Sequence, residues 1–145
     1  GEIWLNGKNH SKNPPHLRPV SMLFQENNLF MHLTVQQNIA LGLQPNLKLN
    51  PQQNEQVKQV ADAVGLGEFL TRLPTQLSGG QKQRICIARA LIKQPQIVIF
   101  DDCLSALDTK TEQNILTNIE KEVANCTAII ITHRETVASS KKINL

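Results

Sequence analysis

The chain has 145 residues, of which 40% are hydrophobic, 19% are charged and 3% are aromatic, and its formal net charge is +3. The length predicts one compact domain, and scattered basic residues with few aromatic side chains argue against a nucleic acid partner. Three widely spaced cysteines fit neither a metal site nor a disulfide framework, and no apolar run approaches the roughly 20 residues that span a bilayer. The composition therefore predicts a cytosolic chain that does not itself enter a membrane.

The first predicted elements are two strands. Glu2 to Leu5 runs into the turn Asn6-Gly7, which is a strong hairpin signal. The second strand, Val20 to Phe24, follows a polar loop that contains prolines. Although GEIWLNGKN has two glycines before Lys8, their spacing does not match a phosphate-binding loop. We do not expect Lys8 to bind phosphate.

Two helices are predicted next. Thr34 is the expected N-cap of the first, with Val35, Ile39 and Leu43 on one face. The second begins at Asn50, with Pro51 at its first position and Gln53 closing a capping box, and it ends at Gly65. Its apolar face consists of Val57, Val60, Ala61 and Val64.

The stretch LSGGQKQR, residues 77–84, predicts the start of a third helix that continues to Lys93. Ser78 and Gln81 have the spacing of a capping box. Gly79 and Gly80 leave main-chain N–H groups open at a helix N-terminus, where the helix dipole favours an anion. The stretch therefore predicts a phosphate site. However, the 145 residues contain no G-x-x-x-x-G-K-[ST] loop that would bring the phosphate.

The last third of the chain predicts a parallel βαβ unit. The runs QIVIF and TAIIIT are typical of strands buried on both faces, and a helix starting at Asp108 or Thr109 lies between them. Its apolar residues are Ile115, Leu116, Ile119 and Val123.

Polar side chains follow the predicted strands. Asp101 and Asp102 end the first strand of that unit, where α/β proteins bind ligands. Asp101 is placed to hold Mg²⁺ and Asp102 to polarise a water. The alternative is that both acids are solvated and cap the next turn. Gln25 and His133 each follow a strand, and either one alone is an ordinary polar loop residue.

Taken in order, these motifs resemble the ATP-binding subunits of ABC transporters over nearly the whole chain. Leu77 to Gln81 resemble the signature motif, Ile97 to Asp101 the Walker B strand, and Asp102 stands at the position of the catalytic glutamate. Ser105, Ala106, Leu107 and Asp108 resemble the D-loop, Gln25 the Q-loop and His133 the switch histidine. The resemblance implies an α/β fold. In it a partial RecA-like P-loop NTPase core (1–25 and 93–145) flanks an α-helical signature subdomain (26–92).

The resemblance also implies ATP and Mg²⁺ as cofactors and two protein partners. Two ATPase subunits would pair head to tail, so that Ser78, Gly79, Gly80 and Gln81 face the phosphate of ATP held by the other subunit. Asp101 and Gln25 would bind the metal, and Asp102, His133 and Gln25 would act in hydrolysis. The second partner would be a transmembrane permease, which would hold the subunit as a peripheral protein on the cytoplasmic side of the membrane.

Two departures from the family pattern lead to further expectations. Because the Walker A loop is absent from these residues, we expect a fragment that binds ATP weakly and does not turn it over alone. Asp102 is also shorter than the usual glutamate, which places its carboxylate on the order of 1.5 Å further from the water, and misplacement of about 1 Å can slow catalysis on the order of 100-fold.

Residues 18–50 resemble the ATPase subunits of thiamine importers, so the best substrate hypothesis is thiamine import. The stretches IVIFDDCLSALDTKTEQNIL and CTAIIITHR resemble exporter-type ATPase domains more closely. This raises the hypothesis of two ancestries joined near Arg84 to Arg89. One alternative is an exporter-type ATPase domain, and another is a folded, non-catalytic binding module. An ABC protein of DNA repair or translation is a third, against which the thiamine-importer resemblance argues.

Overall fold

Residues 1–23, 28–102, 107–122 and 126–131 are described by the structure, a computed structural model. Near the N-terminus, β1 (Trp4–Leu5) and β2 (Lys8–Asn9) form an antiparallel hairpin. Asn6 and Gly7 join them with φ angles of 48° and 73°, the left-handed backbone that a type I′ turn requires. The Asn-Gly turn is therefore confirmed, although the strand before it is shorter than predicted.

A three-stranded parallel sheet forms the centre of the fold. It contains β3 (Val20–Leu23), β4 (Ile97–Asp101) and β5 (Thr127–Ile131), in the order β3-β4-β5. Their carboxyl ends are adjacent, because Leu23 lies opposite Phe100 and Asp101 lies opposite Ile131. Helix α4 (Thr109–Glu122) connects β4 to β5, which confirms the predicted βαβ unit.

The other three helices are α1 (Val35–Ala40), α2 (Pro51–Ala63) and α3 (Gly79–Ile92). Each starts with the same reciprocal pair of hydrogen bonds: the cap side chain accepts from a glutamine N–H, and that glutamine's side chain accepts from the cap N–H. The pairs are Thr34 with Gln37, Asn50 with Gln53, and Ser78 with Gln81. All three predicted caps are confirmed, and Gly65, with φ at 73°, ends α2 as expected.

The core lies where the helices meet one face of the sheet. Helices α1, α2 and α3 pack against each other, and α3 also packs against β3. The fully buried side chains include Val35, Ile39, Val57, Ala61, Ile85, Ala88, Val98 and Phe100. No helix in the part of the chain that the structure describes is long and apolar enough to cross a membrane.

The prediction that both strands of the βαβ unit are buried on two faces is wrong. In β4, Val98 and Phe100 are buried while Ile97 and Ile99 are half-buried. In β5, Ile129 and Ile131 are 45% exposed, as is Met22 of β3. Met22, Ile99 and Ile129 form one row across the sheet. A run of β-branched residues predicts a strand, but it does not say whether a second layer of structure covers that strand.

Candidate functional site

The first turn of α3 has the geometry predicted for an anion site. Ser78 Oγ accepts from the N–H of Gln81 at 3.2 Å, and Gln81 Oε1 accepts from the N–H of Ser78 at 2.9 Å. The amides of Gly79 and Gly80 lie between these two and precede the first amide that donates along the helix, that of Lys82 to the Ser78 carbonyl. The capping box therefore holds the turn in place while leaving the two glycine amides available.

Space and charge at this turn also suit an anion. Gly79 is exposed, and a Cβ added to it would meet nothing within 4 Å. The first turn contains no acidic residue, so nothing there opposes the positive end of the helix dipole. Glycine keeps the approach to both amides clear, because a side chain would stand where the ligand has to come close. The arrangement can bind the oxygen atoms of a phosphate.

A second cluster lies at the carboxyl edge of the sheet. Asp101 ends β4 beside Ile131 of β5, and the N–H of Asp102 donates to the Ile131 carbonyl at 2.9 Å. Both aspartates are half-buried. Asp102 has φ of 49°, a left-handed conformation that aspartate tolerates better than most residues and that turns the chain out of the strand. The main chain at Asp102 is thus held against β5.

A metal bound at this edge of the sheet would take its ligands from a protein carboxylate together with water and substrate phosphate. Within the described ranges, no group of three or more His, Cys, Asp or Glu side chains could hold a metal ion. A single carboxylate at the end of β4 suits Mg²⁺, which keeps several waters and binds through one or two carboxylates together with substrate phosphates. Asp101 therefore fits the predicted metal ligand in chemistry and in place.

Leu107 and Asp108, the two described residues of the predicted D-loop, have structural roles at the start of α4. Leu107 is buried in the core. Asp108 is the N-cap, because its carboxylate accepts from the N–H of Thr111 at 3.1 Å and from the Thr111 hydroxyl. These hydrogen bonds, the hydroxyl bond first, lower the pKa of Asp108 below its ordinary value. The cap of α4 is thus Asp108 and neither of the two aspartates that end β4.

Four predicted site residues, Gln25, Ser105, Ala106 and His133, lie outside the described residues. The structure brings together the ends of the strands that precede them in the sequence: β3, β4 and β5 finish at the same edge of the sheet. The signature residues form a separate cluster, at the first turn of α3. The assigned roles of all these residues stay predictions.

Sequence reasoning missed a groove beside the sheet. It has a volume of about 910 Å³, and its lining includes β3, the turn after α1 and the second half of α3. Met22, Leu41, Leu43, Cys86 and Arg89 are among the residues that line it. Burial raises the pKa of the Cys86 thiol, and the nearby Arg89 partly opposes that rise. No local sequence signal marks the groove, because its walls come from distant parts of the chain.

Comparisons with known proteins agree with this geometry. The family model described as ABC transporter matches residues 1–105. Over 136 residues the chain is 54% identical to the thiamine import ATP-binding protein ThiQ of Haemophilus influenzae, covering 92% of this chain and 63% of that protein. The ThiQ protein of Histophilus somni is 52% identical, and the match covers 92% of this chain and 64% of that protein. The ThiQ protein of Escherichia coli O157:H7 is 45% identical, and the match covers 92% of this chain and 58% of that protein.

A solved structure is also similar: the ATP-binding cassette MJ0796, in a dimeric post-hydrolysis state bound to ADP and Pi, has a TM-score of 0.75 and 28% identity. The match covers 92% of this chain and 63% of that one, so this chain spans less than two thirds of the length of each of these relatives.

The alignments to the three ThiQ proteins cross the region between Arg84 and Arg89, since each covers 92% of the chain. They therefore lend no support to the hypothesis of two ancestries. The predicted motifs, the parallel sheet with its flanking helices and the family match lead to one conclusion. The chain belongs to the ABC transporter family of ATP-binding proteins and is similar to the ATPases of thiamine importers.

Proposed function

We propose that this chain is part of an ATP-hydrolysing subunit that energises transport, and that the first turn of α3 binds the phosphate end of ATP held by a second subunit. The observation that carries the proposal is the pair of glycine amides left available by the Ser78–Gln81 capping box. No sequence within the 145 residues forms a phosphate-binding loop of the Walker A type. We propose that the phosphate reaches this turn from ATP held by the second subunit, in the head-to-tail pair that the family resemblance implies.

The carboxyl edge of the sheet is the proposed site of hydrolysis. Asp101 would hold Mg²⁺, which supplies charge neutralisation to the transferring phosphoryl group when bound. Asp102 would orient the attacking water, and Gln25 and His133 are the other residues that we propose to act in hydrolysis. The main chain of Asp102 is held in its left-handed conformation by the bond from its N–H to the Ile131 carbonyl.

The proposed second partner is a transmembrane permease, and the proposed transported solute is thiamine. The groove beside β3 supports the permease as a partner, because apolar and basic side chains line it together, among them Met22, Leu43 and Arg89. The relatives are named thiamine import ATP-binding proteins, which supports thiamine as the solute. In this arrangement the chain would act as a peripheral protein on the cytoplasmic side.

We further infer that the 145-residue polypeptide does not turn over ATP by itself. The open apolar face of the sheet, with Met22, Ile129 and Ile131 each 45% exposed, supports this inference. Parallel sheets are usually covered on both faces, so this face is where the part of the ATPase domain that the chain does not match would pack.

The test is an ATPase assay and a calorimetric titration with Mg-ATP, on this chain alone and mixed with the unmatched segment of the Haemophilus influenzae relative. We expect binding and turnover only in the mixture. Ser78→Asp should retain the cap, since aspartate caps as well as serine, but should lower turnover of the mixture on the order of 100-fold by placing a negative charge beside the phosphate.

Thr34→Asp is the matched control, because Thr34 caps α1 through the same pair of hydrogen bonds. It should leave turnover unchanged. Equal turnover in Ser78→Asp and wild type would contradict the role of α3.

A non-catalytic binding module is the second candidate, and the open apolar face of the sheet, where Met22, Ile129 and Ile131 are exposed and another protein could pack, favours it. This candidate predicts that the chain folds but that Mg-ATP binds neither to the chain alone nor to the mixture. The same titration therefore decides between the two.

A further inference from the structure

A buried asparagine determines the path of the chain just before α1. Asn38 has no exposed surface. Its Nδ2 lies 3.0, 3.0 and 3.1 Å from the carbonyl oxygens of Phe30, Leu33 and Thr34, which share its two hydrogens. Its Oδ1 accepts from the N–H of Phe30 at 3.0 Å. A buried amide that uses both its donor and its acceptor on the main chain of one segment fixes that segment. Residues 28–33, called segment 28–33 below, are thereby attached to α1.

Arg89 of α3 contacts the same cluster from the other side. Its Nη1 donates to the carbonyl of Asn28 at 2.9 Å, and its Nη2 donates to Asn38 Oδ1 at 3.4 Å. The planar guanidinium reaches both acceptors at once, which the single ammonium of lysine does not do in the same way. Burial lowers the pKa of Arg89, as expected for a cation removed from water.

Helix α1 is itself attached to α3 and to the loop before it. The N–H of Val35 donates to the carbonyl of Arg72 at 2.8 Å, and that of Gln36 donates to the carbonyl of Leu70 at 2.9 Å. At its other end, Gly42 packs so closely on α3 that an added Cβ would lie 2.5 Å from the Ile92 side chain. Segment 28–33, α1 and α3 are thus joined at several separate points.

We propose that Arg89 and Asn38 are positioning residues, which form a polar clamp holding segment 28–33 to the helix that begins with the signature motif. Asn28 and Arg89 both line the groove beside β3, so the clamp fixes one wall of that groove. A displacement of α3 then moves the groove wall with it. The use of this coupling in transport rests on the proposed function, whereas the clamp itself needs neither nucleotide nor permease.

The test is residue-resolved amide hydrogen exchange on the 145-residue chain, wild type and Arg89→Lys. The Phe30 amide donates to Asn38, and the Leu33 amide donates to the Phe30 carbonyl at 3.1 Å. We expect Arg89→Lys to accelerate exchange of both amides roughly tenfold or more. Amides within α2 should keep their wild-type rates.

Arg84→Lys is the matched control, because Arg84 also lies on α3 and also donates to main-chain carbonyls, those of Val64 and Gly65 at 3.3 and 3.4 Å. It should loosen the end of α2 and leave the Phe30 amide unchanged. Unchanged Phe30 exchange in Arg89→Lys would overturn the clamp. An equal acceleration throughout the helices would also overturn it, because that is the result expected of a merely structural residue.

A second measurement needs no variant. In the wild-type chain, rotation of the Arg89 Nη groups, followed by ¹⁵N NMR, should be slow compared with that of Arg72, whose guanidinium lies over the Phe69 ring at 4.9 Å. Equally fast rotation in the two residues would overturn the clamp. Neither measurement uses ATP. If the ATPase assay failed while rotation of the Arg89 Nη groups was slow, the proposed function would be rejected and the clamp would stand.

Discussion

Asp108 illustrates how one side chain couples a helix start to pH. The two hydrogen bonds from Thr111 stabilise its charged form, and they lower its pKa. A carboxyl whose pKa is lower in the folded state contributes stability above its unfolded pKa, and that contribution is lost as pH falls through the folded value. The cap of α4 should therefore weaken only at acid pH.

The corresponding prediction concerns Thr111→Ala, which removes the hydroxyl donor but keeps the main-chain donor. The pKa of Asp108, measured by NMR titration of its carboxyl, should rise toward the ordinary value of about 3.9. Thr117→Ala is the control, since the Thr117 hydroxyl donates to the Gln113 carbonyl in the same helix. An Asp108 pKa that is unchanged in Thr111→Ala would contradict the assigned cause.

A second residue-scale prediction concerns Gly42, where α1 meets α3. An added Cβ would lie 2.5 Å from Ile92 Cγ2 and 2.6 Å from the carbonyl oxygen of Arg89. Since the second contact is main chain, it cannot move aside as a side chain does. Gly42→Ala should lower the free energy of unfolding by about 1–3 kcal/mol in urea denaturation. Gly79→Ala, at a position with open space, should not lower it.

At the scale of elements, helices α1, α2 and α3 share one way of starting. A Ser, Thr or Asn cap is paired with glutamine three residues later in α1, α2 and α3. In α3 the pair has a second consequence, because the turn that it stabilises presents the glycine amides. The same two side chains therefore serve both the fold and the proposed site.

Ser78→Ala is the prediction at this scale. It removes the acceptor of the Gln81 N–H, so the free energy of unfolding should fall by about 1 kcal/mol, as for other cap replacements. Ser78→Asn should restore stability, because asparagine also caps. Urea denaturation of wild type, Ser78→Ala and Ser78→Asn measures the three free energies of unfolding. A stability in Ser78→Ala equal to that of wild type would show that the cap contributes nothing.

Within the described residues, the three-stranded sheet is covered by helices on one face and open on the other. Phe100 is fully buried on the helix side, whereas Ile129 on the open side is 45% exposed. Phe100→Ala should lower the free energy of unfolding by about 3–5 kcal/mol, and Ile129→Ala by less than about 1 kcal/mol. Urea denaturation of both variants checks the difference. Similar losses would mean that the open face is covered in solution.

Much of this molecule could be predicted from the sequence because the signals are local. The caps at Thr34, Asn50 and Ser78, the turn at Asn6-Gly7 and the end of α2 at Gly65 each depend on residues at most a few positions apart. The order of β4, α4 and β5 followed from runs of apolar residues and from the handedness of parallel connections. For the same reason the capping box at the first turn of α3 was predicted correctly, whereas the anion-binding role of that turn stays a prediction.

What the tertiary structure alone decided depends on residues that are distant in sequence. Arg89 donates to a carbonyl 61 residues away and to a side chain 51 residues away, and neither partner leaves a mark near Arg89 in the sequence. The exposure of Met22, Ile129 and Ile131 likewise depends on which layers surround the sheet. The sequence by itself determined where the capped helices α1, α2 and α3 begin, since hydrogen bonds between near neighbours decide their first turns. Only the packing of those elements decided which faces are covered and which polar groups meet.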